Sequence, residues 1–386
     1  MSAWIVFRKE LVDALRDRRT LFTVLLSSVA IGPAVLVALS MLVAGIEQRA
    51  EERRVVAVGI EHAPTLRNYL ERQTWRIEPA PPDYEAQLAS QKLGEPVLVI
   101  GSGFEAELAA AQAPLLEIVS SSANQRAAQS AGRLARLLSG FSNEQARLRL
   151  ALRGVAPATL EVVDVQERDL ASPQARAAQL TAMLPFFVLM AVLYGALNAA
   201  LDTTAGERER GSLEPLLMNP ASRASLVLGK WGAVAAVAML IALLSCLSFL
   251  PAQALLRSET LAAMVRFGLR EVALFLALLA PLAAALSALM MAIAIRCKSF
   301  KEAQANTTVV VLAVSLLPLV GVFNQSGEAP WHLWIPALGQ VTLMNRVLKG
   351  EAVVVPDVAI ALAVSLAITV ACIVAVARQL RTAAVR

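Results

Sequence analysis

The chain has 386 residues, 57% of them hydrophobic and 17% charged, with a formal net charge of +5 and three cysteines. Soluble domains carry about 25% charged residues, so this composition is displaced toward membrane proteins. The surplus of Lys and Arg sits in short loops without interleaved aromatic residues, which argues against nucleic acid as the partner. Cys246, Cys297 and Cys372 fall in or beside apolar runs, and the long polar region has none, so neither a disulfide framework nor a C-x-x-C metal site is available. His62 and His332 lie far apart and outside any H-E-x-x-H context, and both read as surface or interfacial residues.

Residues 1–20 place Trp4, Phe7, Leu11 and Leu15 at helical spacing, with Arg8, Lys9, Arg16, Arg18 and Arg19 on the other faces. This predicts an amphipathic helix lying in the membrane interface. Leu21 to Ile46 follows without a charge. At 26 residues it exceeds the about 7–15 residues of a signal-peptide core, so it reads as an uncleaved first span, kinked at Gly32-Pro33.

Residues 47–176 form the one large polar region. Strands are predicted at 55–60, 75–78, 96–100, 115–121 and 160–167. Helices are predicted at 64–73, 83–92, 104–112 and 124–153, the last with a break at Ser139-Gly140. This alternation predicts an α/β domain around a small sheet. Gly101, Gly103 and Ala106 spell a degenerate G-x-G-x-x-A, but no parallel strand with an acidic residue follows at the spacing that a dinucleotide site requires. A plain glycine turn between strand and helix accounts for it.

Five further spans are predicted at 177–201, 232–256, 272–295, 307–323 and 358–377, each long enough at about 1.5 Å per residue. Residues 324–356, with Trp331, Trp334, Pro336 and Gly339, read as interfacial or re-entrant, and 378–386 as a tail. None of the six runs contains Asp, Glu, Lys or Arg. Intramembrane ionisable groups usually mark ion paths, so their absence weakens an ion-gradient carrier. The basic residues of the short segments divide fifteen to five. That bias predicts both termini and the 202–231 loop in the cytoplasm and the α/β domain outside.

The 202–231 loop carries the most informative stretch, Glu207 to Arg223, reading ERERGSLEPLLMNPASR. Ser212 can cap a short helix whose first turn holds Glu214 and Pro215, with Leu213, Leu216 and Leu217 on one face. Such a tethered apolar stripe suits either a soluble partner or the headgroup surface. Polar groups at span ends, Asn198, Asp202, Glu271, Gln304, Asn306 and Thr307, either line a cation path or cap and cross-link helices. Lys301 and Glu302 read as a second contact with that partner or as a solvated loop. No G-x-x-x-x-G-K-(S/T) is present: Gly229-Lys230 is followed by Trp231, and Ala224 stands where the first glycine would be.

The run from Glu207 to Arg223 resembles the cytoplasmic loop of type-2 ABC exporter permeases, where E-x-E-x-G-(S/T)-x-E-x-L-L…P-x-S-R follows the second span. The resemblance implies an all-α polytopic membrane domain: six transmembrane helices, an N-terminal elbow helix and an inserted extracytoplasmic α/β domain. It implies coupling to a cytoplasmic ABC ATPase through Glu207, Glu209, Gly211, Ser212, Leu213 and Glu214. The ATP and Mg are then used by that partner, with no cofactor bound here. It further implies a second permease copy and a place among the lipids of a bacterial inner membrane. Asn198, Asp202, Asn306 and Thr307 are the path candidates. Chain length and the position of the outside domain are similar to the sodium-export subgroup, while the apolar spans suit a lipid or amphipathic drug equally. A non-transporting assembly component and a self-sufficient secondary carrier are the alternatives of other classes.

Overall fold

A computed structural model describes residues 3–16, 22, 26–51, 53–160, 168, 181–212, 222–257, 262, 267–323 and 328–383. The chain divides into two compact units, Gly45–Asp169 and the remainder.

In the Gly45–Asp169 unit, β1 (Arg54–Val58), β2 (Arg76–Pro79), β3 (Val97–Ile100) and β4 (Leu116–Val119) form one sheet in the order β2-β1-β3-β4. β1 pairs in parallel with β2 and β3, and β4 closes one edge antiparallel to β3. The central strands are apolar on both faces because helices cover both. Val55 and Ala57 pack with Leu66, Leu70, Leu98 and Phe104, whereas Val56 turns to Leu88, Val97 and Ala127 on the other face. Four helices supply those layers: α3 (Pro64–Arg72), α4 (Tyr84–Ala89), α5 (Phe104–Ala109) and α6 (Gln125–Leu152). The strand after Gly101-Ser102-Gly103 is antiparallel, so no βαβ unit follows that turn. The expected break in α6 is absent. Gly140 is helical, and it leaves room for Tyr69, whose hydroxyl would lie 2.6 Å from an added Cβ. Of the strand expected at 160–167 only Leu160 is described, as the end of a 3-10 turn at Pro157–Leu160, and 161–167 lie outside the described residues.

The other unit is a helical bundle. Among the described residues five helices are long and apolar enough to cross a membrane: α7 with its extension (Met183–Glu209), α8 (Arg223–Gln253), α9 (Leu269–Ala294), α10 (Phe300–Val320 of Phe300–Phe323) and α12 (Val355–Gln379 of Val355–Ala383). Of the first span expected at 21–46, residues 21 and 23–25 lie outside the described residues, and the described part includes an apolar stretch, Ile31–Gly45, of α2 (Ile31–Glu51). A π-turn at Leu26–Ala30 precedes it. Pro33 has no N–H for the carbonyl of Val29, and Ser248 of α8 donates its hydroxyl there instead, at 2.9 Å. α7 is the most buried of the five, and α10 and α12 are the most exposed. The amphipathic helix α1 (Ala3–Arg16) packs chiefly along α8.

The 324–356 region contains a short helix, α11 (Leu338–Lys349), sunk into the bundle. Gln340 organises its start: its Oε1 accepts from Ala337 N at 2.8 Å, and its Nε2 donates to Ser365 Oγ at 3.1 Å. Trp331 and Trp334 remain exposed, as aromatic anchors at a membrane boundary do. His332, expected to be a surface or interfacial residue, is 2% exposed and set edge-on against the exposed Trp331. His62 is exposed.

Candidate functional site

α7 does not end with its apolar run. It widens into a π-helical stretch at Asp202–Gly206 and closes with one turn at Glu207–Glu209. The hydroxyls of Thr203 and Thr204 turn back to bond the carbonyls of Ala199 and Ala200, at 2.8 and 2.5 Å. Single π-turns inside α-helices recur at functional sites. Here the stretch leads directly into four consecutive charges, each bonded to a different place.

Glu207 is turned inward, its side chain 12% exposed, and its Oε2 accepts from Lys230 Nζ at 2.6 Å. The same ammonium donates to Glu10 Oε1 of α1 and to the carbonyl of Thr203, both at 3.0 Å. Lys230 is 4% and Glu10 3% exposed, so this is a buried junction of two carboxylates and one ammonium. Lys9 stands beside it, 3.2 Å from Glu10 and 3.9 Å from Glu207. Its partial burial opposes the charge, yet the carboxylates of Glu10, Glu207 and Asp13 hold its pKa above the ordinary lysine value.

Two glycines bring α1 close enough for this. A Cβ on Gly229 would meet Val6 at 2.6 Å, and one on Gly232 would meet Phe7 at 3.2 Å. Spaced three apart, they form a shallow track on α8 into which α1 settles. The inward face of α1 therefore centres on Val6 and Glu10, flanked by the half-buried Phe7 and Leu11 of the apolar stripe, while Trp4 and Leu15 are exposed.

The other charges serve helix ends. Arg208 Nη1 donates to the carbonyls of Ile295 and Cys297, just past α9, at 3.3 and 3.2 Å. Glu209 Oε2 accepts from the backbone N–H of Phe300, the first residue of α10, at 2.6 Å. Cation at a carbonyl end and anion at an amide end are the favourable senses of the helix dipole. Arg210 folds back onto Asp202 Oδ1 at 3.3 Å and Gly206 O at 3.1 Å. Gly211 then takes φ +69°, and Ser212 donates both N–H and hydroxyl to Glu207 O at 3.0 and 3.2 Å, closing the helix. Ser212 thus finishes the helix before it. The helix it was expected to start, with Leu213 and Glu214, lies outside the described residues.

Of the other expected site residues, Asn198 is half-buried and bonds Tyr194 O at 2.8 Å within its own helix. Asp202 takes Arg210. Thr307 is buried with its hydroxyl on Ala303 O at 2.7 Å, whereas Asn306 reaches Cys297 Sγ at 3.3 Å and lines a cavity. Glu302 accepts from Lys298 N at 2.8 Å, and Glu271 from Gly268 N at 2.9 Å, both as caps. Among the described residues no three His, Cys, Asp or Glu side chains gather as a metal site.

Sequence reasoning missed Lys230, Glu10 and Arg208. Lys230 fell just before the span expected to begin at 232, but α8 begins at Arg223 and carries it inside. The available signal was the Gly229-Lys230-Trp231-Gly232 run, a charge set between two residues without side chains.

A family model described as ABC-2 family transporter protein matches residues 4–383. The ABC transporter permease protein NatB of Bacillus subtilis (strain 168) is similar over 356 residues at 28% identity, covering 89% of each chain.

Proposed function

Since the chain belongs to the ABC-2 family of transporter proteins and is the membrane component of such a transporter, we propose that it exports sodium ions, driven by a separate ABC ATPase. The sodium assignment rests on the subgroup resemblance of length and domain placement. In this reading the charged junction faces the cytoplasm, the Gly45–Asp169 unit lies outside the bacterial inner membrane, and two copies enclose the path. The ATPase docks on the loop that begins at Glu207, through Glu209, Gly211, Ser212, Leu213 and Glu214.

One observation carries this reading: three successive residues, Glu207, Arg208 and Glu209, bond α8, α1, the end of α9 and the start of α10. A push on that loop reaches five helices at once, counting α7 itself. Motion of an ATPase-bound segment would therefore shift several helices together and not one alone.

The test pairs the permease with its co-expressed ATPase in inverted vesicles. ATP-dependent uptake of labelled sodium is expected, with loss of both co-purification and uptake in Glu214→Arg. A second reading, export of a lipid or amphipathic drug, is favoured by the apolar make-up of the five long helices. Transport of such a compound with no sodium flux would replace the first reading. An intact complex without any flux would favour an assembly role, and uptake without ATPase a secondary carrier.

A further inference from the structure

α10 and α12 both pack on α9 but make little contact with each other. The gap between them holds a cavity of about 510 Å³, within the usual range for small-ligand pockets. Leu289 and Ile293 of α9 form its floor, and Ala371 and Ala375 of α12 keep one wall low. The interior is apolar, but the mouth is not. Arg296, Glu302 and Asn306 stand there, at the level where α9 ends and α10 begins.

The two charges at the mouth are of opposite sign and each keeps bonding capacity. With the Gln379 amide oxygen facing it, Arg296 donates Nε and Nη2 at 2.6 and 2.8 Å, two of five N–H donors on its planar fork. Glu302 takes one backbone N–H, and a carboxylate offers about four lone-pair sites. Outward from the mouth, Val309, Leu312 and Leu316 on α10 follow the Glu302 and Asn306 face at helical spacing and are exposed. An apolar slot with a guanidinium and a carboxylate at one end, continued by an apolar rail on α10, fits a molecule with matching parts in the same order.

We propose that this groove is a site for one zwitterionic phospholipid, its phosphate on Arg296, its ammonium on Glu302 and an acyl chain in the cavity. Guanidinium and phosphate pair bidentately, and the carboxylate beside it disfavours a purely anionic headgroup. The lipid is a resident of the bundle rather than its cargo, so the proposal does not depend on the transport reading.

The test is native mass spectrometry of the delipidated full-length protein in detergent, titrated with phosphatidylethanolamine and, separately, phosphatidylglycerol. One phosphatidylethanolamine is expected to bind at least roughly tenfold tighter than phosphatidylglycerol, the scale of one charged hydrogen bond. Glu302→Gln should bring the two lipids level, Arg296→Gln should weaken both, and Ala375→Trp should abolish the tight adduct. Equal binding in the unaltered protein, or tight binding indifferent to all three substitutions, would mean an annular lipid only and overturn the proposal.

A measurement on the unaltered chain guards against variants that do not fold. Cys372 lines the groove and is partly exposed, while Cys246 is sealed in the core. Alkylation of Cys372, read by peptide mass, should slow by roughly tenfold with phosphatidylethanolamine and not with phosphatidylglycerol. No protection, or equal protection by both lipids, would also overturn it.

Discussion

The two units of this chain handle charge in opposite ways. In the sheet-bearing unit the ion pairs lie at the surface: Arg72 and Glu144 meet at 2.6 Å with side chains 63% and 35% exposed, over a core of Val, Leu and Phe. In the helical unit Glu10, Lys230 and Glu207 are withdrawn from solvent and tie three helical segments together. A surface pair gains little because water already solvates both partners, and its median worth is about 0–1 kcal/mol. A buried group has no such alternative, so taking away one partner leaves the rest stranded. The same residue types are therefore nearly dispensable in one unit and structural in the other.

The contrast is broken most directly by Lys230→Met. Two carboxylates would be left facing each other inside the bundle, and a loss of about 3–5 kcal/mol is expected, read as a large fall in melting temperature of the purified protein. A change under about 1 kcal/mol would mean that water reaches the junction and that the two units do not differ as argued. Next in size is Gly140→Ala in the sheet-bearing unit, which pushes a methyl against the Tyr69 hydroxyl. Crowding of about 1–3 kcal/mol outweighs the gain in helix propensity, and faster hydrogen exchange confined to α3 and α6 is the expected signature. Glu209→Ala removes the acceptor at the start of α10, for about 0.5–2 kcal/mol, the range of a lost helix cap. Denaturant melts of the variant beside Glu209→Gln, which keeps an acceptor, separate the hydrogen bond from the charge. At the bottom, a double-mutant cycle on Arg72 and Glu144 should return about 0–1 kcal/mol, and less in high salt.

The sheet-bearing unit was the more legible in sequence. Its strands at 54–58, 76–79, 97–100 and 116–119 lie within a residue or two of where apolar runs and turn residues put them, because local pattern and tertiary environment agree there. The long apolar helices were plain as elements but not in their bounds, since α8 begins at Arg223 and α10 at Phe300, ahead of the expected 232 and 307. What the pattern concealed were contacts between segments far apart in the chain. Glu10 and Lys230 are 220 residues apart, and hydropathy can only treat each as the place where a span must stop. Arg208 looked like one more loop charge, since nothing in its neighbours reports the carbonyls at Ile295 and Cys297. Gly140 looked like a helix breaker because the partner that needs the missing side chain, Tyr69, belongs to another helix.

The widened turn at Asp202–Gly206 sets the angular phase of everything after it. One residue of an α-helix corresponds to about 100° of rotation. Deleting a single residue between 202 and 206 would swing Glu207 about a quarter-turn away from Lys230 and carry Arg208 and Glu209 off their helix ends in the same movement. Shortening the chain there is thus unlike shortening a surface loop: one missing residue disconnects four attachments together, and an insertion elsewhere in the loop cannot restore them.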